Sequence, residues 1–266
     1  MRKIQIAITA VLLSALFYSC KKDTVQVIDE SIDASTPKIK YFNFGVNTPS
    51  VNFYANNVKV SAALSATGVE STAGVNNGSV YPASNYSLLS AGAYTFEARL
   101  PSTVTTDANL SINSFNGMLE SNKSYSFYLC GLYTAKKADA FIVEDKLPPV
   151  DNNKAYVRFV NTVPNATSNM SLFVHDVTAA AGTDLPVATG IAYKGASEFV
   201  AVPVGVYELY ARYPSAPTVN VISRNGTSTV AFVGGRVYTI GSRGDITVST
   251  AGTATNRPLI DVTSNR

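Results

Sequence analysis

Apolar and polar positions alternate with a period of two along much of this chain. Tyr94, Phe96, Ala98 and Leu100 fall on one side of an extended segment, with Thr95, Glu97 and Arg99 on the other; later, Tyr207, Leu209, Ala211 and Tyr213 oppose Glu208 and Arg212. Such segments predict half-buried strands of antiparallel sheets. Further strand-like runs at 39–46, 51–55, 109–115, 124–130 and 140–144, with counterparts in the second half, are separated by Gly, Asn, Pro and Ser, and no long helical pattern intervenes. About seven short strands in each half predict an all-β chain of two tandem immunoglobulin-like antiparallel β-sandwich domains.

The two halves repeat one another. The segment from Ala83 to Ser102 realigns, 113 positions on, with that from Ala196 to Ser215, and the same offset matches Tyr125-Ser126-Phe127 with Tyr238-Thr239-Ile240 and Gly131 with Gly244. Each half also opens alike, Ile39-Lys40-Tyr41-Phe42-Asn43 against Val157-Arg158-Phe159-Val160-Asn161. The pattern reads as a tandem duplication: repeat 1 over 37–147, a proline-stiffened polar linker over 148–153, and repeat 2 over 154–266. Each repeat is long enough to bury a core of its own. Gly92-Ala93-Tyr94 and Gly205-Val206-Tyr207 share one arrangement, a glycine that can turn the chain and a tyrosine where the next strand begins. This predicts a tyrosine corner in both, the phenol hydroxyl bonding an upstream backbone group and holding the crossover between sheets.

The N-terminus reads as a signal peptide over residues 1–19: Arg2 and Lys3 lead an apolar run from Ile4 to Phe17 that ends in small and polar residues. That run is shorter than the about 20 residues of a spanning helix, and Lys21, Lys22 and Asp23 follow at once. Phe17-Tyr18-Ser19-Cys20 resembles the bacterial lipobox, with Phe17 in place of the commoner Leu and Tyr18 bulkier than the usual small residue. Lipidation at Cys20 is expected, with acyl chains holding the protein on a membrane and residues 20–36 serving as a polar tether. Lys21 stands where an inner-membrane retention signal would place Asp, so the expected location is the outer membrane, lipid-anchored, on its periplasmic face or at the cell surface.

Composition narrows the chemistry. Loss of Arg2 and Lys3 takes the basic residues from 21 to 19 against 18 acidic ones, so the mature chain is near neutral and has no Lys/Arg block to track phosphates; nucleic acid is not an expected partner. Cys130 is the one cysteine besides Cys20, and without a basic group or second thiol nearby it reads as a small buried hydrophobe. The single histidine, His175, closes a strand-like stretch and reads as a solvent-facing strand end, with no Gly-x-Ser-x-Gly turn in the chain to supply a nucleophile. No metal site, cofactor or catalytic residue is expected. An acid pair such as Asp139 with Glu144 could in principle act as acid and base, but nothing places the two in a cleft, and they read as solvated charges at strand ends. Arg243-Gly244-Asp245 spells an integrin-binding tripeptide, but it reads as a hairpin turn between Tyr238-Thr239-Ile240 and Ile246-Thr247-Val248.

Tyr156 through Ala166, then Ser171-Leu172-Phe173-Val174, Val202-Pro203-Val204-Gly205-Val206-Tyr207 and Tyr238-Thr239-Ile240 resemble domain-of-unknown-function family 4397. The resemblance implies a β-sandwich in a bacterial envelope protein, often lipid-anchored and often in tandem, with no established catalytic residues. Two functions follow as expectations: a non-catalytic binding or adhesion module for a glycan or protein, or a structural accessory subunit of an outer-membrane assembly. The sequence names no ligand-binding residue for either.

Overall fold

The structure is a computed structural model in which residues 35–61, 72–180 and 183–266 are described. The signal segment, Cys20 and the tether as far as residue 34 lie outside the described residues. Ser35–Arg266 forms one compact unit.

The first sandwich is built from β1 (Lys38–Asn43), β2 (Asn52–Ala55), β3 (Val58–Lys59), β4 (Val80–Tyr81), β5 (Ser87–Leu88), β6 (Gly92–Arg99), β7 (Ser111–Leu119), β8 (Ser124–Thr134) and β9 (Lys137–Glu144). One of its sheets has the order β4-β1-β8-β9 with β5 also on β1, and the other runs β3-β2-β6-β7. The second sandwich uses β10 (Lys154–Asn161), β11 (Met170–Asp176), β12 (Leu185–Ile191), β13 (Gly195–Ala196), β14 (Val200–Pro203), β15 (Gly205–Arg212), β16 (Asn220–Arg224), β17 (Val230–Phe232), β18 (Val237–Arg243) and β19 (Leu259–Ser264). Its sheets run β13-β10-β18-β19, with β14 on β10, and β12-β11-β15-β16, with β17 on β15. The same strand path is therefore traced twice, and the all-β sandwich architecture predicted from periodicity is present. Each sandwich also holds one parallel pair, β1 with β8 and β10 with β18, inside otherwise antiparallel sheets. The β2–β3 turn shows how local chemistry sets the hairpins. Asn56 and Asn57 both take positive φ, 48° and 65°, the backbone of a two-residue primed turn that asparagine tolerates.

Inward-facing positions fill a separate core in each sandwich. Ile39, Tyr41, Phe53, Phe96 and Phe127 anchor the first, and Val157, Phe159, Leu172, Leu209 and Ile240 the second. The opposite faces of β1, β8 and β10 are buried as well. Phe42, Phe44, Tyr128, Cys130, Phe141 and Val160 form a third apolar cluster, joined by Tyr193, where the β1-β8-β9 sheet lies on the β10-β18 sheet. Phe42 and Tyr128 stack at 4.3 Å, and Tyr128 stacks on Phe141 at 5.0 Å. Close approach at this seam requires a glycine in β18, since a Cβ on Gly241 would lie 2.7 Å from the Phe44 ring.

The seam also buries charge. Arg158 pairs with Asp145, both side chains almost wholly excluded from solvent, and its Nε donates to Thr239 Oγ1 at 2.9 Å. Asp145 accepts from Ser126 Oγ at 2.8 Å and from the Tyr86 hydroxyl at 2.7 Å. Asn265 donates to that hydroxyl at 2.7 Å and accepts from Thr239 Oγ1 at 2.7 Å, so residues of both sandwiches close one network. Burial opposes the Arg158 charge, but Asp145, Tyr128 and Tyr86 together outweigh it and the guanidinium pKa is raised. Burial pushes the Cys130 thiol up to about 12, so the thiol stays protonated in the seam, its Sγ 3.4 Å from the Tyr193 hydroxyl.

Candidate functional site

In both proposed corners the tyrosine hydroxyl reaches the main chain four residues upstream. Tyr94 donates to the Ser90 carbonyl at 2.9 Å and Tyr207 to the Pro203 carbonyl at 3.0 Å. Each bond spans the crossover from a strand paired with β1 or β10 to the first residues of β6 or β15. Gly92 has φ +151°, where a side chain would be strained, while a Cβ on Gly205 would stand 3.0 Å from the Tyr207 ring. Tyr207 is fully buried and Tyr94 half-buried. Tyr207→Phe is therefore expected to lower unfolding free energy by about 1 kcal/mol and Tyr94→Phe by less, as read from urea unfolding followed by circular dichroism. Unchanged stability in both variants would remove the structural role of these hydroxyls.

The Arg243-Gly244-Asp245 tripeptide and His175 sit differently from expectation. β18 does not turn at Gly244 to pair with Ile246-Thr247-Val248; it pairs with β19 across a long excursion. Arg243 is held by Asp261 and lies 5.7 Å from the Phe44 ring, and Asp245 accepts from Asn165 Nδ2 at 2.7 Å, so the tripeptide's charges are engaged within the fold. Asp139 and Glu144, five positions apart on β9, point to opposite sides of the strand. Asp139 faces Lys194 at 3.2 Å and Glu144 faces Lys123 at 3.2 Å, so the two acids are not brought together.

His175 is not a solvent-facing strand end. Its Nδ1 lies 2.9 Å from Asp184 Oδ1, both side chains mostly buried, in a groove of about 610 Å³ on the outer face of the β12-β11-β15-β16 sheet. The floor follows from strand alternation: Phe173 and His175 leave β11 on the face opposite Leu172 and Val174, and Glu208, Tyr210 and Arg212 leave β15 opposite Leu209 and Ala211. Register brings Phe173 beside Tyr210 and His175 beside Glu208. Asp184 enters just before β12, and Pro217, Thr218 and Asn220 close the other wall.

Arg212 organises this face. It pairs with Asp184, donates from Nε to Asn220 Oδ1 at 2.6 Å and from Nη1 to the Pro217 carbonyl at 3.0 Å, and lies 4.7 Å from the Phe173 ring and 5.2 Å from that of Tyr210. Glu208 accepts from the Tyr210 hydroxyl and, at 2.9 Å, from the Gly226 N–H. Those two donors hold the Glu208 carboxyl below the usual carboxylate range, and burial, with Glu208, pushes the Tyr210 phenol up to about 12. The first sandwich carries the related stack of Arg99 on Tyr54, 4.5 Å from the ring, with Arg99 paired to Glu97. The arginine–aromatic stack is thus common to both repeats, whereas the first has the turn residue Asn56 at the position of His175, and the Asn57 amide, just before β3, accepts from Arg99 in place of the Asp184 carboxylate. Sequence alternation marked Glu208 and Arg212 as outward; Asp184, Thr218 and Asn220 lie in or beside loops, where no periodic signal places them.

Residues 37–168 match the model of the domain of unknown function DUF4397. The DUF4397 stretch takes in β1 through β10, and with them both members of the Arg158–Asp145 pair; the groove residues lie beyond it. No curated protein matches the chain. Among solved structures, the chain is similar to the Bacillus anthracis TIE protein at 12% identity and a TM-score of 0.22, over 79% of this chain and 34% of that one. It thus spans about a third of the length of the TIE protein. It is also similar to CBMbc, of family CBM26, from Eubacterium rectale Amy13K in complex with maltoheptaose, at 10% identity and a TM-score of 0.24, over 86% of this chain and 95% of that one.

Proposed function

We propose that this protein is a non-catalytic binding module of the bacterial envelope, held on the outer membrane by acyl chains at Cys20, whose second sandwich binds a neutral, hydroxyl-rich glycan in the groove around Arg212. The observation that carries this reading is the mixture of fixed donors and acceptors on one rigid sheet face. His175 Nε2, Asn220 Nδ2 and the Thr218 hydroxyl have no partner among the described residues. Asp184 and Glu208 keep unused lone pairs, since a carboxylate accepts about four hydrogen bonds. A sugar hydroxyl donates and accepts at once and suits such a surface. Two carboxylates disfavour an anion, and Arg212 disfavours a cation. The side chains are already locked by one another, so little ordering entropy opposes binding.

The test is a panel of neutral oligosaccharides and peptidoglycan fragments titrated into the full chain in detergent micelles. Saturable binding is expected, with Glu208→Gln and Asn220→Ala each weakening it by roughly tenfold, the size of about one lost hydrogen bond of 1–1.5 kcal/mol. A silent panel, together with a stoichiometric protein partner recovered from native envelopes, would replace this reading with that of a structural subunit.

A further inference from the structure

The opposite side of the second sandwich holds a different cavity, of about 600 Å³, where its β18–β19 end meets the first sandwich. Lys38 and Tyr86 reach it from the first sandwich, and Arg236, Arg266 and Asn265 from the second, so the cavity exists only because the two are docked. Three cationic side chains line it and no Asp or Glu side chain does. Asp145 lies behind the Tyr86–Asn265 floor and is engaged by Arg158, Ser126 and Tyr86. Lys40 is buried on the far side of that floor, its Nζ 5.2 Å from the Tyr86 ring centre.

The cations themselves are left without acidic partners. The Nη2 of Arg266 is buried and has no hydrogen-bond partner, while its Nε makes one long bond, 3.4 Å, to the Gly235 carbonyl. The Arg266 main-chain oxygen is taken by Val237 N–H and Ser264 Oγ and so does not serve the guanidinium. Lys38 and Arg236 are exposed at the rim, with no side-chain partner among the described residues. A buried, unpaired guanidinium nitrogen is costly, and an anion that meets it forms a charge-assisted bond stronger than a neutral one. Two further cations at the mouth raise the local concentration of anions.

We infer that this seam cavity is a second binding site, specific for a carboxylate or phosphate carried on a small hydroxyl-rich molecule such as an acidic sugar. Arg266 takes the anionic group, Lys38 and Arg236 flank it, and Ser84, Asn85 and Asn265 meet the hydroxyls. The site is independent of the groove around Arg212, which lies on the other sheet of the second sandwich.

Calorimetric titration of the full chain in detergent micelles at low ionic strength, with glucuronate, glucose 6-phosphate and glucose as probes, tests it. Saturable binding of one or both anionic probes is expected, with none of glucose; whichever anion binds more tightly identifies the carboxylate or the phosphate as the group recognised. Affinity should fall at least tenfold in Lys38→Gln/Arg236→Gln and fall with added salt, while Glu208→Gln leaves it unchanged. Because both substituted side chains are exposed, that variant should unfold at the wild-type urea midpoint. No saturation by either anion, equal binding of glucose, or full affinity in the folded double variant would each overturn the assignment. Failure of the neutral-glycan panel at the groove would leave these outcomes unaffected.

Discussion

Replacing Arg158 by Met lowers the unfolding free energy by about 3–5 kcal/mol, the usual cost of removing one member of a buried ion pair. The cause is what remains: Asp145, excluded from solvent, loses its ion-pair partner while Ser126, Tyr86 and Asn265 still donate to it. Asp145→Asn alone is expected to cost less, since the amide still accepts from Tyr86 and Ser126. In the double variant the losses should fall short of additivity by about 1–3 kcal/mol, the coupling typical of residues in one network. Urea unfolding followed by far-ultraviolet circular dichroism measures all four proteins; the chain has no tryptophan to report the transition by fluorescence. Because the network draws on both sandwiches, the single transition of the native chain should broaden or split in Arg158→Met. A variant within about 1 kcal/mol of wild type, with one unchanged transition, would show that the seam does not depend on this pair.

Alkaline pH is expected to act in two opposed steps. Burial, partly offset by Asp145, lowers the Lys40 pKa from 10.5 to about 8. Between those values the unfolded chain holds a proton that the folded chain has lost, so stability rises with pH through that window, by at most about 1.4 kcal/mol per pH unit. Tyr41, Tyr86 and Tyr128 act in the other direction. Burial raises each of their pKa values well above the ordinary 10.0, so the folded chain keeps protons that the unfolded chain releases. Their contribution is complete below about pH 10 and is lost as pH climbs above it, by about 4 kcal/mol per unit for three groups together. The urea midpoint should therefore rise to about pH 9, level off where the Cys130 thiol, raised from 9.0 to about 12, begins to oppose Lys40, and collapse above about pH 10. A midpoint that falls steadily from neutral pH would contradict the Lys40 assignment; a midpoint that holds steady above about pH 10 would contradict that of the three tyrosines.

Much of the fold was legible in the chain. The runs at 39–46, 51–55, 109–115, 124–130 and 140–144 correspond to β1, β2, β7, β8 and β9 within a few residues at each end. Period-two alternation reports burial of one face directly, and the repeat aligned Arg99 with Arg212 as outward-facing residues; that each stacks on an aromatic ring came from the structure. Strands of two residues, such as β3, β4 and β5, were not legible, because so short a run carries no period. Nor was the groove. His175 and Glu208 stand 33 positions apart in sequence, and only the pairing register of β11 with β15 makes them neighbours.

The sequence by itself determined which residues turn inward in each sandwich and that the pattern occurs twice, since those follow from local alternation and self-similarity. It left open what covers the outer face of each strand. Lys40, Ser126, Arg158 and Thr239 occupy the positions that alternation assigns to water, yet all four are buried. Tertiary structure alone decided this: the outer sheet of one sandwich lies on that of the other, and the polar side chains that would have faced solvent had to find their hydrogen bonds in one another.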